Sequence, residues 1–65
     1  MPKYPDVFVK LVGEDGNAYA ILARSMKAMR RAGKSEAQID EFLQQAQSGD
    51  YAKLLMTCTE FFEVA

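Results

Sequence analysis

Histidine is absent from this 65-residue chain, and cysteine occurs once, as Cys58. Without histidine the commonest zinc ligand is missing, and so is the usual base for activating a cysteine nucleophile. A lone Cys58 forms no internal disulfide. Long apolar runs are lacking as well. The only early one, Val7 to Val12, is short and interrupted by Lys10, so it reads neither as a signal peptide nor as a membrane span. With one unpaired cysteine and no apolar leader, the chain is expected to be cytoplasmic. Its formal net charge of -1 argues against a generally basic nucleic-acid coat protein. No internal repeat, linker or low-complexity segment interrupts the sequence.

These absences put the burden of stability on packing. Residues 1–65 read as one small globular domain, with residues 1–5 as a loose lead-in because Pro2 and Pro5 push their predecessors toward extended geometry. A chain this short buries only about 60% of the surface that its unfolded form exposes, so its core is marginal. Neither disulfide nor zinc is available to staple it, and association with another chain is the remaining source of support.

From Asp6 to Val12 the β-branched content, and the alternation of Val7, Val9 and Leu11 with Phe8, Lys10 and Val12, predict a strand with one buried face. Gly13 and Gly16 bracket a turn, and Asn17 is suited to cap the helix that follows. At 100° per residue, Ala18, Ile21, Leu22, Ser25, Ala28, Met29 and Ala32 share one arc of that helix, its core face. Gly33 ends it. Ser35 and Gln38 match a capping box that starts a second helix, on which Ile39, Phe42, Leu43 and Ala46 form the apolar stripe. Ser48 and Gly49 stop that helix, and Asp50 caps a third. There Tyr51, Leu54, Leu55, Cys58, Phe61 and Phe62 follow the spacing of a buried face. Thr57 to Val64 is rich in β-branched and aromatic residues, so the chain is open to leaving the helix before Phe62 for a short final strand. The expected fold class is therefore α+β, in the order strand, three helices, strand. Two terminal strands are too few to stand without the helices. Pairing them across a two-fold axis would give a four-stranded sheet, which is the structural argument for a homodimer.

The chemistry-bearing residues do not assemble into a catalytic set. Cys58 falls on the apolar face of the third helix and reads as a small buried hydrophobe. Asp40 and Glu41 are helix neighbours pointing in different directions, and read as a solvated face. The loop Gly13-Glu14-Asp15-Gly16-Asn17 leads into a helix N-terminus, but Glu14 and Asp15 would repel a phosphate and no P-loop lysine is present. Its spacing also departs from an EF-hand, and three side chains fall short of the ligands calcium takes. A turn and a cap account for every residue of it. No catalytic, cofactor or metal residue is assigned.

One feature admits a binding reading. Residues 1–23 carry a net charge of -1, residues 24–34 carry +5 with no acid among them, and residues 35–65 carry -5. The five cations, Arg24, Lys27, Arg30, Arg31 and Lys34, occupy one arc of the first helix, apart from its core face. Such a row suits a polyanion backbone or an acidic protein surface. It equally suits solvated charge near a helix C-terminus, paired with Glu36, Asp40 or Glu41 on the next helix. No aromatic residue interleaves with the cations to stack bases, although Tyr19 lies near one edge.

The stretches Val9-Lys10-Leu11-Val12-Gly13, Asp15-Gly16-Asn17-Ala18-Tyr19-Ala20-Ile21-Leu22, Ala28-Met29-Arg30-Arg31-Ala32-Gly33 and Ser48-Gly49-Asp50-Tyr51 with Leu54-Leu55 span most of the chain. In them the sequence resembles a group of small uncharacterised proteins of bacteria and their phages. That resemblance implies a compact bacterial or phage protein and brings no activity or site with it. The expectation is a non-catalytic module that associates with itself or with another protein and needs no cofactor or membrane. The alternative is a nucleic-acid accessory protein using the basic face of the first helix.

Overall fold

A computed structural model describes all residues, 1–65. The order is β1 (Tyr4–Val9), α1 (Ala18–Arg31), α2 (Glu36–Ala46), α3 (Tyr51–Phe61) and β2 (Phe62–Val64), the α+β arrangement expected from the sequence. None of the helices is long and apolar enough to cross a membrane.

Local chemistry sets the helix boundaries. The Asn17 side chain accepts the Tyr19 backbone N–H at 2.8 Å, and the Asp50 carboxylate accepts that of Lys53 at 3.1 Å. At α2 the capping box closes reciprocally: Ser35 Oγ accepts the Gln38 N–H, and Gln38 Oε1 accepts the Ser35 N–H. Gly33, at φ +82°, terminates α1 in the left-handed region. The Gly33 and Lys34 N–H groups then turn back to the Arg30 and Met29 carbonyls, both at 3.0 Å, which satisfies the helix end in a Schellman motif.

The two strands lie side by side and parallel, with the three helices forming the connection. Parallel pairing requires such a crossover, because a tight hairpin turn can join only antiparallel neighbours. Phe8 is in register with Glu63 and Val9 with Val64, while an irregularity between Tyr4 and Phe8 shifts the ladder. This shift lets Tyr4, Val7 and Val9 all face inward although their spacing is uneven. The lead-in is correspondingly shorter than expected, since Tyr4 and Pro5 belong to β1. Tyr4 is buried, and the Lys3 N–H donates to the Glu60 carbonyl at 2.8 Å. At the other end Leu11 and Val12 lie beyond β1, yet both donate to the Ala65 carbonyl.

Phe42 of α2 is fully buried at the centre of the core. Its ring centroid stands 5.5 Å from that of Phe61 and 4.9 Å from that of Phe62, and Tyr4 meets Phe61 at 5.8 Å edge-on. Ile21 and Met29 from α1, Ile39 from α2, and Leu54 and Cys58 from α3 close around them. Phe62 departs from the helical stripe predicted for it. It leaves α3 in extended geometry and reaches the same core as the first residue of β2. Tyr51 also departs from that stripe: it is 47% exposed at the rim, and its hydroxyl donates to the Gly16 carbonyl at 2.6 Å. Thr57 is buried instead, its hydroxyl bonded back to the Lys53 carbonyl. Ser25 bonds back to Ile21 in the same way, so neither buried hydroxyl is unpaired.

Candidate interaction surface

Three of the five cations on the basic arc are tied to the protein itself. Lys34, whose side chain is only 17% exposed, reaches Asp6 of β1 at 2.9 Å and lies 4.8 Å from the centre of the Tyr4 ring. The hydrogen bond from Lys34 holds the Asp6 carboxyl below the ordinary aspartate value of 3.8. Arg24 donates to two main-chain carbonyls, those of Asp15 at 2.8 Å and Lys10 at 3.3 Å, and so fastens the turn onto α1. Arg30 makes a loose, exposed pair with Glu36 at 3.6 Å. Lys27 and Arg31 make no ion pair. Of the acids considered as partners for the arc, only Glu36 serves. Glu41 instead takes Lys3 at 2.7 Å, a contact whose hydrogen bond raises the lysine above its ordinary value of 10.5.

Lys27 and Arg31 look across a shallow groove at β1. One hollow of about 340 Å³ is bounded by Phe8, Lys10, Arg24, Lys27 and Arg31, and a neighbouring one of about 320 Å³ by Asp6, Phe8, Arg31 and Ala32. They share Phe8, Ala28 and Arg31, so they form one channel between strand and helix. Its floor is small because Ala28 presents only a methyl group.

The strand wall of the channel is an open sheet edge. Val9 accepts from the Ala65 N–H, and Leu11 donates to the Ala65 carbonyl, so both turn their main chains toward β2. Main-chain polar groups alternate sides along a regular strand, which directs those of Phe8 and Lys10 the other way, while Asp6 lies within the irregular stretch between Tyr4 and Phe8. Arg24 confirms the sense of this alternation, because it meets the Lys10 carbonyl from the α1 side. Phe8 sits mid-edge and is 58% exposed. The sequence displayed Phe8 as the outward face of a strand. It carried no sign that α1 would lie beside the unpaired edge, since that depends on packing between distant segments.

A third hollow, of about 260 Å³, lies between the start of α1 and the α2–α3 corner, where Tyr19, Leu22, Tyr51 and Leu54 meet. Cys58 is distant from all three hollows in the sense that matters chemically. It is fully buried, its sulfur 3.9 Å from Ser25 Oγ, and burial pushes the thiol above its ordinary value of 9.0. A thiol so placed is a packing residue, not a nucleophile.

The fold and the channel define a small α+β protein with a two-stranded parallel sheet, one edge of which is open beside a basic helix. No known protein family, no curated protein sequence and no solved structure matches this chain.

Proposed function

We propose that this protein is a non-catalytic interaction module of bacterial or phage origin, working in the cytoplasm, which binds by accepting an extended strand on the open edge of β1. The observation that carries the reading is the channel itself. The main-chain groups of Phe8 and Lys10 that turn away from β2 form one wall, the Lys10 carbonyl already accepting from Arg24, and the unengaged cations Lys27 and Arg31 stand on the other. An added strand gains main-chain hydrogen bonds from the first wall and charge complementarity from the second. The buried, neutral thiol of Cys58 supports the non-catalytic part of the reading.

A nucleic-acid role for the basic arc has weaker support. With Lys34, Arg24 and Arg30 drawn into internal contacts, the row of five reduces to Lys27 and Arg31, with Lys10 across the channel. Two or three phosphate contacts give little counterion release.

The test is a titration of 15N-labelled protein with an acetylated, amidated heptapeptide alternating valine and glutamate, and separately with a mixed DNA and RNA oligonucleotide at low salt. The expected result is movement of the amide signals of Asp6, Phe8, Lys10, Lys27 and Arg31 with peptide. No response of the β1 amides at millimolar peptide would overturn strand addition. Saturable binding to the oligonucleotide alone would transfer the reading to nucleic acid.

A further inference from the structure

We infer that the strand received by the open edge of β1 is β1 of a second copy, running antiparallel about a two-fold axis at Phe8. This inference rests on the strand-addition reading and specifies its occupant. The edge-facing residues are Phe8 and Lys10, whose carbonyl also accepts from Arg24, and the exposed Asp6 stands two residues before Phe8. When Phe8 stands opposite Phe8 of the second copy, Asp6 of each chain stands opposite Lys10 of the other. Both outer positions then hold opposite charges, and the exposed aromatic side chains meet in the middle as a cross-strand pair.

The register is selected by charge. Sliding one strand by two residues places Asp6 or Lys10 opposite Phe8 and loses both charge pairs. Sliding it by four places Asp6 opposite Asp6, or Lys10 opposite Lys10. A single arrangement is thus favoured over its neighbours, as a defined interface requires. Lys10, held loosely by Glu14 of its own chain at 3.9 Å, is the kind of residue that blunts an open edge, and Asp6 of the second copy adds a second carboxylate beside it. Asp6 keeps Lys34 as well, since only one of its carboxylate oxygens, Oδ2, is engaged there.

The result is a four-stranded sheet in the order β2, β1, β1, β2, which removes the weakness of an isolated two-stranded one. On its helical side the two α1 helices approach across the small Ala28 and Ala32. Lys27 and Arg31 of both copies also draw near there and repel. Their heads are exposed, and at about 150 mM salt such charges are screened beyond about 8 Å.

Sedimentation equilibrium at about 150 mM salt tests the occupant, with Asp6→Lys and Lys10→Asp examined singly and mixed. The wild-type chain is expected to be dimeric at high micromolar concentration and each variant monomeric. An equimolar mixture is expected to recover the dimer, because both charge pairs are restored between unlike chains. Circular dichroism establishes that each variant is folded. Should either fail to fold, Phe8→Cys in a Cys58→Ala background serves instead, with a symmetric disulfide-linked dimer expected on mild oxidation. A monomeric wild-type chain overturns the inference, and so does a dimer that survives in both charge variants. A monomer whose β1 amides still respond to the valine–glutamate peptide loses only the second copy as occupant. A monomer that responds to neither loses strand addition altogether.

Discussion

Phe42, fully buried, joins α2 to both C-terminal elements, because its ring meets those of Phe61 and Phe62, the last residue of α3 and the first of β2. Truncating it leaves a cavity that three elements border. Phe42→Ala is expected to lower stability by about 3–5 kcal/mol. For a chain of this size the total is roughly 3–10 kcal/mol at typical values per residue. The variant should therefore melt far below the wild type by circular dichroism, and retention of a cooperative thermal transition near that of the wild type would contradict the assignment. The spacing of Ile39, Phe42 and Ala46 made this residue legible as core in the sequence. Its central position was not, because that follows from the return of Phe62 along the chain's other end.

At the scale of elements, glycine at position 33 is required by the backbone alone. Nothing lies within 4 Å of where a β-carbon would stand, so a substitution there meets no steric obstacle beyond its own φ of +82°. Gly33→Ala is expected to cost about 1–2 kcal/mol, the penalty of the left-handed region for an L-residue, without rearranging the fold. Chemical denaturation with an unchanged m-value checks this. The helices were the most legible part of the sequence, since Asn17, Ser35 and Asp50 act within four residues of where they stand. β1 was legible in kind but not in extent. The prolines at positions 2 and 5 spoke for a loose lead-in, yet Tyr4 packs edge-on against Phe61 and Lys3 bonds to Glu60. Those contacts join residues more than fifty apart, and local pattern holds no trace of them.

The same division holds for the candidate surface. The row of five cations was evident from helical periodicity. Which of them stay unengaged was not, because Asp6 reaches Lys34 from β1 and the turn after β1 presents its carbonyls to Arg24.

For the molecule as a whole, the Asp6–Lys34 contact ties the first strand to the end of the first helix and makes stability depend on acid. The folded Asp6 carboxyl titrates below its unfolded value, so the unfolded chain takes up the proton first as pH falls. Stability from this group is complete above the unfolded value of 3.8 and is lost as pH falls through the lower folded one. Asp6→Asn should flatten the dependence of melting temperature on pH in that window while leaving it unchanged near neutrality apart from a constant offset. An unaltered acid limb would assign the dependence to other carboxylates.

β1 pairs with β2, and the two strands lie at opposite ends of the sequence. On the ribosome, Val7, Phe8 and Val9 emerge long before Phe62 to Val64 have been joined to the chain. Until then both margins of the first strand are unpaired, and neighbouring nascent chains on one message present the same sequence to one another. Closure of the core waits for the last residues of β2, a long-range contact of the kind that slows folding. Lys10 and Asp6 are in place from the start, so like charges oppose any pairing that sets Asp6 against Asp6 or Lys10 against Lys10 before there is a fold to protect.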